Sequence, residues 1–289
     1  MAIASPLPGG EGLVRLRDSP DRSFIRWAGG KTWLRRYLPS LLPNSFGTYF
    51  EPFLGSGATF FCIRPCQAFL SDVNEDLVNA FRIVRDYPNE LIRVLEGFEN
   101  NEREYYQIRE SRPRSALSRA ARFVYLNRTA WNGLYRLNGS GRFNVPYGEY
   151  ESRKVADPDR LLAASRSLRG ATVSRSDFLT PISRAEEGDF VFVDPPYATP
   201  ALRSTFTSYT ARKFGWLDQL RLFQALVELD RRGGTFLLTN SDHPALRALY
   251  RQFRVESLTR SSVISGDPIG RGPMLELVIT NYDHGSLAG

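Results

Sequence analysis

The chain has 289 residues, of which 42% are hydrophobic, and a formal net charge of +7. That length suits one large α/β domain or one domain with an insertion, and arginine, which supplies nearly all the basic excess, favours phosphate and guanine-edge contacts. Only two cysteines and two histidines nearly exclude a zinc site, which needs about four Cys/His ligands or an Asp/Glu substitute, and no run approaches the ~20 apolar residues of a membrane helix.

Residues 1 to about 22 are rich in Gly, Pro and charge and read as a mobile tail. They lack the charged-then-apolar pattern of a signal peptide, so a soluble, reducing, cytoplasmic setting is expected. Next comes FIRWAGGK, Phe24 to Lys31, followed by TWLRRYLPSLL, which reads as a helix. The paired glycines allow close backbone approach to a ligand. Lys31 at that turn could hold an anion such as a carboxylate, or could simply begin the helix. The P-loop pattern is absent.

Thr48 to Phe53 reads as a strand, Leu54-Gly55-Ser56-Gly57-Ala58 as a glycine turn, and Thr59 to Ile63 as an apolar helix. Strand, glycine turn and helix open a nucleotide-type fold. Cys62 and Cys66, four apart, are expected on one helix face as core packing. Ala68 to Asp72 is a second strand ending in an acid. Asp72 lies roughly twenty residues past the glycine turn, where an acid hydrogen-bonds ribose hydroxyls. The alternative is that it caps the helix NEDLVNAFRIVRDY.

From about 74 to 127 the apolar period is helical, with Leu77, Phe81 and Val84 on one stripe and Leu91, Val94 and Leu95 on another. That is too long for one crossover and predicts a helical insertion. Residues 127 to 150 alternate Gly-rich turns, aromatics, Asn and Arg. RLNGSGRFNV reads as a hairpin with an Asn-Gly-Ser-Gly tip. Trp131, Asn132, Arg136, Asn138 and Arg142 on such a hairpin suit a DNA groove, because Arg forks onto guanine and Asn onto adenine. An ordinary polar hairpin is the competing reading.

Residues 157 to 168 form a predicted helix, and Thr172-Val173 a strand leading to Asp177. Asp177 either accepts the adenine amine of a bound cofactor or starts a helix. Phe190 to Val193 is a continuous apolar run, read as a strand buried on both faces. It stops at Asp194-Pro195-Pro196-Tyr197, since two prolines cannot continue a central strand. Asp194 therefore stands at the carboxyl end of a central strand, where open α/β sheets bind ligands. Its carboxylate and the Pro195 carbonyl are two acceptors that can pin an exocyclic –NH2, and Tyr197 offers a face for a planar base. Residues 198 to 213 are expected to form a mobile active-site loop. Phe214 to Arg232 reads as a helix, Thr235 to Asn240 as a strand, and Pro244 to Phe253 as a helix with His243 beside its cap. Arg254 to Leu258 and Leu275 to Tyr282 read as a closing antiparallel pair.

RWAGGK, EPFLGSGA, the acid of LSDVNEDL, LNRTAWNGLYRLNGSGRFNVPYG and DPPY stand in the order found in Dam-like DNA adenine-N6 methyltransferases of the α class. The chain resembles that family over about residues 24 to 282. The resemblance implies a Rossmann-like, S-adenosylmethionine-dependent sheet over 23–73 and 155–289, and a helical and hairpin target-recognition domain over 74–154. It implies S-adenosylmethionine as cofactor, held by Trp27, Lys31, Phe53, Gly55, Gly57, Asp72, Asp177 and Asp194. Asp194, Pro195, Pro196 and Tyr197 would hold a flipped adenine. Arg128, Trp131, Asn132, Leu134, Arg136, Asn138, Arg142 and Pro146 would meet double-stranded DNA, with GATC as the expected target. Trp131 stands where a tyrosine is usual, and Tyr135 and the hairpin tip differ from the family pattern. A monomer without metal or membrane contact is expected, of bacterial or phage type. Two other functions remain open at this point: a catalytically silent DNA-binding relative, and the same chemistry on RNA or on a protein glutamine, for which Asn would be expected in place of Asp194.

Overall fold

The computed structural model describes residues 23–149, 154–197, 214–261 and 273–285. The tail and the 198–213 loop expected from the sequence lie outside these residues. Among those described, seven strands form one sheet in the order β3-β2-β1-β4-β5-β7-β6. The strands are β1 (Tyr49–Glu51), β2 (Ala68–Asp72), β3 (Ala171–Arg175), β4 (Phe190–Val193), β5 (Thr235–Ser241), β6 (Arg254–Ser261) and β7 (Pro273–Thr280). β3, β2, β1, β4 and β5 run parallel. β7 is antiparallel to both β5 and β6, which gives the expected closing pair.

The apolar run of β4 is buried throughout, and its period-2 alternation feeds two cores. Phe190 and Phe192 join the cluster under α1 (Leu38–Leu41), α2 (Ala58–Ile63), α3 (Glu75–Asp86), α4 (Pro88–Glu96), α5 (Glu102–Glu110), α6 (Ala116–Thr129) and α7 (Pro158–Leu168). Val191 and Val193 join the opposite cluster, under α8 (Leu179–Arg184), α9 (Trp216–Arg231) and α10 (Pro244–Leu249). Helices on both faces of a mostly parallel sheet make this a three-layer α/β protein of the Rossmann-like type, as S-adenosylmethionine-dependent methyltransferases are. Each wholly buried Phe or Val is worth about 1.5–3 kcal/mol, so β4 cannot shift register without losing both cores.

Four local expectations change. TWLRRYLPSLL is not one helix: a 3-10 stretch over Thr32–Arg36 precedes α1. Pro39 sits in the first turn of α1 and has no N–H with which to continue the preceding helix. Cys66 is not on the helix face of Cys62, for α2 ends at Ile63 and Cys66 is exposed while Cys62 is buried. Arg64 at φ 52 precedes Pro65, which disfavours further helix. The helix after Asp72 is capped not by Asp72 but by Asn74, whose Oδ1 accepts from Leu77 N at 3.1 Å. The helix begun at Pro244 stops at Leu249, and His243 is itself the cap, its Nδ1 accepting from Ala245 N.

Candidate active site

The carboxyl ends of β1, β2, β3 and β4 open onto one cavity of about 550 Å³. β1 and β4 are the neighbours at which the strand order reverses, so this is the switch-point crevice of the sheet. The volume falls within the range of small-molecule sites.

The glycine turn forms its near wall. Gly55 at φ +47 and Gly57 at φ +65 adopt the left-handed region, which L-residues with a Cβ enter at a cost. A Cβ on Gly55 would lie 2.9 Å from Trp27 Cδ1, so glycine lets the two segments touch. Asp72 braces the turn, its Oδ2 accepting from Gly55 N at 3.1 Å and its Oδ1 from Asn74 N at 2.9 Å. Burial pushes the Asp72 carboxyl above its usual pKa, partly offset by these backbone donors.

Phe53, Phe178 and Phe214 make an aromatic wall. Phe53 stacks on Phe178 with centroids 5.3 Å apart and meets Phe214 edge-on at 5.7 Å. Asp177 lies beside it, paired to Arg221 at 3.3 Å. Its Oδ1 also accepts from Leu179 N, so it both lines the cavity and starts α8.

At the end of β4, Asp194 holds two donors on one oxygen. Thr239 Oγ1 and Lys31 Nζ both lie 2.8 Å from Asp194 Oδ1. Lys31 is 6% exposed. Its ammonium also donates to Tyr197 Oη at 2.9 Å and to Gly29 O at 3.2 Å. The anion Lys31 holds in this state is therefore the Asp194 carboxylate. Glu51, also lining the cavity, accepts from Tyr49 Oη at 2.9 Å. Burial raises its pKa well above the usual carboxylate range, partly offset by the Tyr49 hydrogen bond. Asp72, Asp177, Asp194 and Asp218 thus outnumber Lys31 and Arg175 among the charged lining residues, and the cavity favours a cation.

The hairpin forms as the spacing predicts. Asn138 N donates to Arg142 O at 2.8 Å and Asn144 N to Arg136 O at 3.1 Å. Trp131, Asn132, Arg136, Arg142 and Pro146 are exposed, Trp131 by 50%. Asn138 is exposed too, but its Oδ1 accepts from Ser140 N, Ser140 Oγ and Arg142 N, so this oxygen organises the tip. Leu134 is half-buried against the main core. Arg128 turns inward, donating to Lys154 O at 2.9 Å.

The sequence did not point to Thr239, Glu51, Glu276 or Tyr135. Glu276 is a lone acid in the apolar strand LELVIT, a signal that was available. Tyr135 is buried and stacks on Trp27 with centroids 5.4 Å apart. Among the described residues no cluster of His, Cys, Asp and Glu is arranged to hold a metal ion, and no helix is long and apolar enough to cross a membrane.

Residues 27–264 match the family described as D12 class N6 adenine-specific DNA methyltransferase. The chain is 36% identical over 271 residues to the type II methyltransferase M1.LlaDCHI of Lactococcus lactis subsp. cremoris, covering 90% of this chain and 95% of that protein. It is 32% identical over 270 residues to the DNA adenine methylase of Vibrio cholerae, covering 91% and 97%. With the DNA adenine methylase of Escherichia coli K12 it shares 30% identity over 264 residues, covering 89% and 94%. The chain belongs to the D12 class N6 adenine-specific DNA methyltransferases and is an adenine-specific DNA methyltransferase.

Proposed function

We propose that the protein transfers methyl from S-adenosylmethionine to N6 of an adenine flipped out of duplex DNA, with GATC as its target. The observation that carries this reading is Asp194, fixed by Thr239 at the rim of an acidic, aromatic-walled cavity. The residues fit the cofactor. An adenine ring matches the wall of Phe53, Phe178 and Phe214, with Asp177 as acceptor for its amine. Asp72 suits the ribose hydroxyls, Gly55 and Gly57 allow close approach, and Trp27 and Lys31 flank the end meant for the methionine half. The acidic lining suits a sulfonium. That sulfonium supplies an activated methyl group, so positioning accounts for much of the rate.

Pro195 contributes a carbonyl acceptor and Tyr197 a stacking face for the extruded base, whose unstacking costs a few kcal/mol. Asp194 and the Pro195 carbonyl accept the two N6 hydrogens and turn the nitrogen lone pair toward the methyl carbon. With the cofactor bound, its sulfonium would supply the methyl group, the C–S electron pair staying on sulfur, and Asp194 would pass one N6 proton to solvent. Pro196 keeps the turn stiff. Residues 74–154 serve as the target-recognition unit. Trp131, Asn132, Arg136 and Arg142 read the groove, with Leu134 and Pro146 shaping the reading edge, Asn138 holding the tip and Arg128 tying α6 to the segment after the hairpin. Net positive charge supplies the salt-dependent part of binding. The protein acts as a monomer in a bacterial or phage-infected cytoplasm, and the type II names of its relatives fit a restriction-modification partner.

The test is transfer of labelled methyl from S-adenosylmethionine to unmethylated duplexes with GATC or a scrambled site. Label in the GATC duplex alone, recovered as N6-methyladenine, supports chemistry and target together. Label in both rejects the target, and label in neither rejects the reading.

A further inference from the structure

Glu276 lies on β7 and is 1% exposed. It faces Ser241 of β5 and Leu258 of β6 in the sheet register. Burying a carboxylate is costly unless a cation compensates it. One cation beside it is Lys31, whose Nζ lies 3.6 Å from Glu276 Oε2. That distance is too long for a hydrogen bond. The three ammonium protons go instead to Asp194, Tyr197 and Gly29. The site thus holds one ammonium between two carboxylates, bonded to one and short of the other.

This arrangement conflicts with the chemistry proposed above. Asp194 must present its lone pairs to N6, yet Lys31 occupies one at 2.8 Å. A cation held there also opposes the positive charge that builds on N6 as the methyl group arrives. We propose that Glu276 is a positioning residue, the counter-ion that takes the Lys31 ammonium when Asp194 turns to the target adenine. The inference rests on the methyltransferase reading of the same cavity. The movement is small: closing the gap from 3.6 Å to a charge-assisted bond of about 2.8 Å needs under ~1 Å at the end of a flexible stem. The residue type fits. The chain carries only three lysines, Lys31, Lys154 and Lys213, against 35 arginines. A compact ammonium with three rotatable donors can pass between carboxylates, where a planar guanidinium would lock onto one.

The small number of lysines makes a direct test possible. Protein labelled with ¹⁵N-lysine gives at most three Nζ signals, and Lys31 is assigned in the Lys154→Arg/Lys213→Arg double variant. In the free protein the Lys31 signal should shift in Glu276→Gln and in Asp194→Asn. Adding S-adenosylhomocysteine and a GATC duplex should move the wild-type signal toward its Asp194→Asn position, and Glu276→Gln should abolish that movement. Single-turnover methyl transfer should fall roughly tenfold or more in Glu276→Gln, with Glu276→Asp recovering part of it. A wild-type Lys31 signal that ignores complex formation would overturn the proposal, and that titration needs no substitution at Glu276. An unchanged single-turnover rate in Glu276→Gln would overturn it too. If the wild type itself transfers no methyl to DNA, the parent reading fails, and the free-protein spectra still report separately whether Lys31 senses Glu276.

Discussion

Thr239→Val tests the placement of Asp194 with the smallest change in shape. Thr239 is fully buried on β5, opposite Val278 of β7, and its Oγ1 donates to Asp194 Oδ1 at 2.8 Å. Valine keeps the β-branch and the strand preference and removes only the donor. A hydrogen bond to a charged group contributes about 1.5–3 kcal/mol. If that bond orients the carboxylate in the transition state, its loss slows transfer by about 10- to 150-fold, at ~1.4 kcal/mol per tenfold. Lys31 remains on the same oxygen, so the carboxylate keeps a partner and the fold survives. The assay is single-turnover methyl transfer at saturating cofactor and DNA, with the melting temperature as a control. Thr239→Ser restores the hydroxyl and should return within a few-fold of wild type. A wild-type rate in Thr239→Val, or equal loss in the valine and serine variants, would refute the orienting role.

Gly55→Ala should weaken cofactor binding by about tenfold or more and destabilise the protein by ~1–2 kcal/mol, since the new Cβ meets Trp27 at 2.9 Å and φ is +47; calorimetry with S-adenosylmethionine checks it. Glu51→Gln tests the raised pKa of this buried acid. Because burial raises the Glu51 pKa in the folded state, its contribution to stability is complete below the usual value of 4.5 and is lost as pH rises toward the folded pKa. Within that window the wild type loses about 1.4 kcal/mol per pH unit relative to the variant, so the gap in melting temperature should widen as pH rises above the usual carboxylate range; a constant gap counts against it. Trp131→Ala should weaken duplex binding by about 5- to 150-fold, the worth of one stacked base at ~1–3 kcal/mol, and leave the melting temperature near wild type because the ring is 50% exposed. Fluorescence anisotropy at fixed salt measures it.

The parts of the molecule legible in the sequence are those where one local rule suffices. Phe190 to Val193 reads as a buried strand because four apolar residues end at two prolines, and the structure buries all four. Ala68 to Asp72 and the hairpin carry equally local signals. The rest depends on contacts across long stretches of chain. Thr239 reaches Asp194 over 45 residues and Tyr197 reaches Lys31 over 166. No spacing rule announces such pairs, since sheet order alone brings β5 beside β4 and β7 beside β5. Tyr135 is misleading for a related reason. It lies in a polar, glycine-rich stretch without periodicity, yet with Phe143, Val145 and Tyr147 it supplies buried anchors for the hairpin.

Those anchors tie the exposed hairpin to the buried cavity. Asn127, 1% exposed, grips the backbone of Arg26 on both sides, accepting from its N at 2.8 Å and donating to its O at 2.7 Å. The next residue is Trp27, which stacks on Tyr135 and touches the Gly55 turn. Tyr105 Oη meets Val145 O at 2.8 Å and lies 3.2 Å from Pro146 O at the far side of the hairpin. A side chain shared by two segments costs its entropy once, and a buried amide with both ends satisfied has no equally good alternative position. The segment carrying Trp27 and Lys31 and the root of the hairpin are therefore held together by buried contacts. On the proposed reading of the hairpin, packed side chains run from the groove to the cavity wall and on to Lys31, the residue that stands between Asp194 and Glu276.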